Sequence, residues 1–96
     1  MSLRDLIEDK RDEILHLARR HGAHNVRVFG SVVRGQHGPE SDLDLLVEVA
    51  EDHSPFFPGG LLADLEDLLG CKVHIVTEDG LHWYLRDRVL AEAVPL

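Results

Sequence analysis

Ninety-six residues leave room for one domain, spanning 1–96, and no second core. The chain sets 10 Lys and Arg against 18 Asp and Glu, a formal net charge of −8. That repels a nucleic-acid backbone unless basic residues cluster, and Arg19-Arg20 is the only adjacent pair of arginines, so direct nucleic-acid binding is disfavoured. A small anionic ligand held through a metal ion is not. No apolar run approaches the ~20 residues that span a membrane, the acidic N-terminus lacks a signal-peptide core, and one cysteine, Cys71, excludes an internal disulfide. A cytoplasmic protein is expected.

Residues 3–21 read as one helix. Leu3, Leu6, Ile7, Ile14, Leu17 and Ala18 share a face at spacings of three, four and seven. Ser2 can cap its start and Gly22 stands where a left-handed residue ends a helix. "NVRVFGS" is a strand that Gly30 stops. "VVRGQH" holds one or two helical turns capped by Ser31, ending in the Gly38-Pro39 punctuation. "DLDLLVEVA", residues 42–50, alternates: Leu43, Leu45, Val47 and Val49 face one way, and Asp42, Asp44, Leu46 and Glu48 the other. A turn-rich loop leads to "GLLADLEDLLG", an amphipathic helix with Leu61, Leu62, Leu65, Leu68 and Leu69 inward and Gly70 as its stop. "CKVHIVTE" is a third strand, and "LHWYLRDRVLAEAVPL" a last helix ended by Pro95. Strand, helix, strand over 42–78 is a crossover unit, so its two strands should run parallel. The short link between the first and second strands makes those two antiparallel. The expected architecture is α/β (α+β), a small mixed sheet with helices packed on it.

Two like charges at the head of a buried strand need a reason. Period-two geometry puts Asp42 and Asp44 on one face with Cα atoms about 6.6 Å apart, close enough to converge on one divalent ion. An isolated D-x-D is most often a solvated strand edge, but its surroundings here are unusual. Gly30 allows close backbone approach, Ser31 offers a hydroxyl and an N–H, and Arg34 follows by one helical turn. Taken alone, Ser31 is a helix cap and Arg34 pairs with Glu40 or another surface acid. Together they make a phosphate seat opposite a metal seat, the layout for handling a nucleoside triphosphate with Mg²⁺.

"GSVVRG" followed six residues later by "SDLDLLVE" resembles the two-part signature of the DNA polymerase β-like nucleotidyltransferases. With the length, "KVHIVT" and "VLAEAVPL", the chain resembles the minimal nucleotidyltransferases, the MNT partners of HEPN-domain proteins. The resemblance implies the polymerase β palm-like fold and transfer of a nucleotidyl group with pyrophosphate leaving. Gly30, Ser31, Arg34 and Ser41 would bind the nucleotide, and Asp42 and Asp44 would hold Mg²⁺, with Mn²⁺ an alternative. ATP would be the substrate. Some HEPN-associated members are antitoxins that add AMP to a tyrosine of the partner toxin, an RNase.

The third carboxylate of such sites falls in a segment like "KVDLVT", where this chain has His74. Glu48 and Glu78 each stand four residues along a strand from the site, about 13 Å away, too far when paired ions sit about 3.5–4 Å apart. Asp79 has the opposite parity. His74 is then a metal ligand that shifts preference toward Mn²⁺ or Zn²⁺, a general base, or the mark of a site that binds nucleotide and turns over poorly. The last makes a catalytically weak antitoxin, acting by contact, the alternative function. "HWYL" at 82–85 is either core packing or an interface anchor, Phe56 and Phe57 either lid the core or form a contact patch, and His21-x-x-His24 reads as a surface feature.

Overall fold

The computed structural model describes residues 3–35, 42–53, 55 and 57–96. The capping role expected of Ser2, the pairing of Glu40, the nucleotide contact of Ser41, the turn at Gly38-Pro39 and the placement of Phe56 lie outside these residues.

The first helical stretch forms as two helices, α1 (Leu3–Asp9) and α2 (Arg11–Arg20), rather than one. They meet at Lys10, whose φ of −100° and ψ of 11° leave the helical range. The axial bonds through the joint survive: Lys10 N–H donates to the Leu6 carbonyl and Ile14 N–H to that of Lys10, each at 2.9 Å. The apolar stripe is empty between Ile7 and Ile14, and packing of that stripe is what holds a helix in a protein. Gly22, at φ +87°, turns the chain out of α2 as expected.

Strand β1 (Ala23–Phe29) follows, with Asn25 at φ +49° marking a bulge between His24 and Arg27. The four-residue α3 (Ser31–Arg34) leads toward β2 (Leu43–Val49), which runs antiparallel to β1. Then α4 (Gly59–Leu69) crosses over to β3 (Val73–Thr77), which lies parallel to β2. Both pairings agree with the sequence reading. The last helix, α5 (Trp83–Glu92), ends three residues before Pro95, and the tail adds an unforeseen strand, β4 (Val94–Pro95), antiparallel to β1. The sheet order is β3-β2-β1-β4. Proline is tolerated on such an edge because its missing N–H would face outward, and Leu96 N–H donates to the Val26 carbonyl at 3.0 Å.

Leu43, Leu45 and Val47 of β2 bury completely against Ile14, Ala18, Leu61 and Leu65, with Phe57 packed partly onto this core. Leu46, on the face shared with the acids, is equally buried. It sits between Arg27 and Val76 in register, where the pair formed by Arg27 and Glu78 covers the sheet. "HWYL" does not pack into the core. Trp83 is 80% exposed and Tyr84 61%, and Val89 is the one buried residue of α5. His21 is not a surface feature either: its side chain is 17% exposed and Nε2 meets Asp64 Oδ2 at 2.8 Å. Among the described residues no helix is long and apolar enough to cross a membrane.

Candidate active site

One row of residues crosses three strands where β1 ends and β2 and β3 begin. Phe29 is paired with Asp44, and Asp44 with His74. Asp42 precedes β2 by one residue, so it returns to the face of Asp44. The sheet thus brings Asp42, Asp44 and His74 together, the trio singled out in the sequence. His74 Nε2 lies 2.8 Å from Asp42 Oδ2, with side chains 46% and 39% exposed. The residue standing in the expected acid's place is hydrogen-bonded to one of the two carboxylates.

Asp44 is half-buried, and burial is the main cause that pushes its carboxyl above the ordinary 3.8. His74 and Arg34 draw it down, while the charges of Asp42 and Glu92 push it further up. Against it packs Gly30, at φ +83° and ψ −151°. A Cβ built at Gly30 would lie 2.3 Å from Asp44 Oδ2, so only glycine admits the carboxylate here. The close approach at Gly30 is thus to a side chain of the sheet rather than to a ligand.

Ser31 does not cap α3. Gly30 occupies the capping position and Ser31 is the first helical residue, because the left-handed turn at Gly30 brings its own carbonyl to accept from Val33 N–H at 3.1 Å and Arg34 N–H at 3.2 Å. Arg34 points to the site but pairs with Glu92: its Nη1 donates to Oε1 at 2.8 Å. The other oxygen of Glu92 accepts the Gly30 N–H at 2.9 Å. Sequence reasoning missed Glu92. The one available signal was an acid inside "VLAEAVPL", in a helix read as ending the chain.

The acids weighed as substitutes for a third carboxylate are engaged elsewhere. Glu48 accepts from Asn25 Nδ2 at 2.9 Å, and Glu78 is held by Arg27. Cys71 offers no ready thiolate: burial first, then the charges of Asp42 and Glu66, push its thiol up. Two clefts, of 360 Å³ beside α1 and α3 and 450 Å³ at the far end of the sheet, contain none of the trio.

Asp42 and Asp44 suit a hard divalent ion, since carboxylate oxygens are the donors it prefers and Mg²⁺ commonly binds one or two carboxylates plus substrate phosphate. Among the described residues no group of three or more His, Cys, Asp and Glu side chains is arranged to hold an ion by itself. The donor set therefore fits an ion that completes its shell with substrate oxygens and water.

Residues 11–96 match the nucleotidyltransferase domain family. A relative in Methanocaldococcus jannaschii, provisionally named a protein adenylyltransferase, is 35% identical over 88 residues, which cover 92% of this chain and 95% of that protein. A solved structure, provisionally named a minimal nucleotidyltransferase, superposes with a TM-score of 0.86 at 49% identity, covering 100% of this chain and 97% of that one. A crystal structure of a toxin–antitoxin with AMP-PNP superposes with a TM-score of 0.73, covering 88% of this chain and 69% of that one; at 22% identity it speaks for the fold alone. Nucleotidyltransferases of this kind work on a nucleoside triphosphate with a divalent metal. The palm-like sheet, the paired aspartates at its strand heads and the match over nearly the whole length agree, and the chain belongs to the nucleotidyltransferase domain family, in its minimal form.

Proposed function

We propose that the chain transfers AMP from ATP to a hydroxyl on a partner protein, and that the partner is a HEPN-domain toxin which this modification silences. The observation that carries the reading is the Asp44 carboxylate seated against Gly30 with Asp42 on the same face, a metal-and-phosphate arrangement. The relative named for protein adenylylation supports the acceptor class and the nucleotide. A net charge of −8 steers the domain toward a cationic partner.

In this reaction the acceptor oxygen attacks the α-phosphorus. A new O–P bond forms, the bond to the β-phosphate oxygen breaks, and pyrophosphate leaves with that electron pair. Asp42 and Asp44 would hold Mg²⁺ or Mn²⁺, which would supply positive charge to the triphosphate. Asp44 is held for this role by the wall that Gly30 leaves open. Gly30 N–H, Ser31 and Arg34 serve the phosphates, and Ser41 belongs to the same motif. With Nε2–H donating to Asp42, Nδ1 of His74 carries the lone pair that receives the acceptor's proton.

The bond between His74 and Asp42 favours a second reading, in which the chain binds its partner and turns over slowly. It engages a carboxylate that the metal needs and brings no third negative charge. Label transfer from α-labelled ATP onto the partner separates the two. Slow wild-type transfer with Mg²⁺, raised by His74→Asp by about 10²–10⁴-fold and abolished again by Asp42→Ala, supports an enzyme slowed by its histidine. Fast wild-type transfer that His74→Asp lowers assigns catalysis to the imidazole. Absence of transfer from every form refutes AMP transfer.

A further inference from the structure

Glu92 reaches the site from the far end of the chain. Its Oε2 accepts the N–H of Gly30 at 2.9 Å and its Oε1 accepts Nη1 of Arg34 at 2.8 Å. These are the donors that a phosphate would use, and one carboxylate spans both. The carboxylate is 16% exposed. Burial works to raise its carboxyl, but the Gly30 N–H and Arg34 more than offset that and hold it below the ordinary 4.5. At neutral pH an anion is therefore resident between the two donors.

The backbone around Glu92 is tied on both sides. Ala93 N–H donates to the Val89 carbonyl at 2.9 Å, and the next two residues pair with β1. The side chain has another cation within reach: Arg88, one turn back on α5, already draws on its charge. Glu92 also lies beside the paired aspartates, because the Gly30 whose N–H it accepts packs directly against the Asp44 carboxylate. An arriving polyphosphate meets an arginine whose charge is already matched and three carboxylates that repel it.

We infer that Glu92 is a resident anion in the phosphate seat, exchanged for the polyphosphate of the nucleotide, and that this exchange sets nucleotide affinity; the inference rests on the nucleotidyltransferase reading of the site. Binding turns the Glu92 side chain toward Arg88 and frees Gly30 N–H and Arg34, while β4 keeps the backbone in place. Glu92 is thus an affinity-determining residue that touches neither ion nor reacting atom before the swap.

Titration calorimetry on the full chain tests this with Mg²⁺–ATP and with inorganic tripolyphosphate as probes. Glu92→Gln keeps the shape and loses the charge, so both probes should bind about tenfold tighter, since a charge-assisted contact is roughly twice as strong as a neutral one. Glu92→Ala should move the same way. Wild-type protein provides a check that needs no variant: the carboxylate carbon resonance of Glu92 should shift on saturation with Mg²⁺–ATP together with the Gly30 amide. Binding by wild type that weakens or stays equal in both variants, or a Glu92 resonance that does not move, overturns the exchange and leaves the nucleotide site standing. No binding by any form overturns the exchange and the nucleotide reading together.

Discussion

Gly30→Ala tests the local geometry of the site most directly. Two penalties arise at this position. The backbone holds φ +83° and ψ −151°, a region that is nearly glycine-only and costs other residues about 1–3 kcal/mol. The added methyl would lie 2.3 Å from Asp44 Oδ2 and 3.2 Å from its Cγ, so the carboxylate must turn aside. Moving it off its rotamer costs about 0.5–1.5 kcal/mol. The sum is about 1.5–4.5 kcal/mol, a fall in melting temperature of about 6–36 °C for a chain of this size. Gly35→Ala is the control. Gly35 is also left-handed, at φ +72°, but a Cβ there meets no described atom within 4 Å. It should cost only the backbone term, about 1–2 kcal/mol. Thermal unfolding of both variants, followed by Mg²⁺–ATP binding below their melting points, gives the comparison. Equal melting temperatures, or a Gly30→Ala protein that binds Mg²⁺–ATP like wild type, would refute the claim that this glycine exists to seat Asp44.

Asp44→Asn should raise the melting temperature at pH 7. The raised carboxyl means that the folded state keeps a proton the unfolded chain releases, so wild-type stability falls as pH climbs from about 3.8 through the folded value, and the gap between the proteins should close below that window. Glu78→Ala should destabilise by about 2–4 kcal/mol in denaturant unfolding, because it leaves the Arg27 guanidinium, 11% exposed, without its carboxylate; a change below 0.5 kcal/mol would show that the pair is not structural. Trp83→Ala should leave stability within about 0.5 kcal/mol, since the ring is 80% exposed. It should weaken the complex with the partner more than tenfold in a pull-down titration if the ring is an anchor.

The strand order and the pairing senses of β1, β2 and β3 were legible because local rules decide them. Alternation in "DLDLLVEV", Gly30 and Gly70 as stops, and a crossover between 42 and 78 leave little freedom. The same alternation put Leu46 on the face of the acids, where it lies, but could not show that this face is buried at Leu46 beside the Arg27–Glu78 pair. β4 was invisible for another reason. Two residues, one of them Pro95, carry no strand signal, and only their fit to the edge of β1 makes them a strand. Trp83 and Tyr84 read from the sequence as core or as an interface anchor, and the fold leaves both exposed, with Val89 alone buried in α5. The shared face of Asp42 and Asp44 was readable because they are two residues apart. The cluster at Gly30 was half read: Gly30 and Arg34 are neighbours in sequence, while the residue between them in space, Glu92, is 62 positions from Gly30.

The histidine at position 74 makes sense as part of this charge balance. Asp42, Asp44 and Glu92 crowd one face, answered by Arg34 and by whatever stands at 74. An aspartate there would add a fourth negative charge beside Asp44, whose carboxyl burial and like charges already push up. Histidine instead gives Asp42 a partner at 2.8 Å and lowers the repulsion felt by Asp44. The fold gains, and on the proposed reading an ion would lose, because the imidazole must give up Asp42 or share it before an ion could use both carboxylates. Catalytic constellations of like charge are strained when empty, and relieving that strain stabilises a fold at some cost in rate. His74 therefore places this chain nearer the stable end of that exchange than a three-carboxylate site would stand.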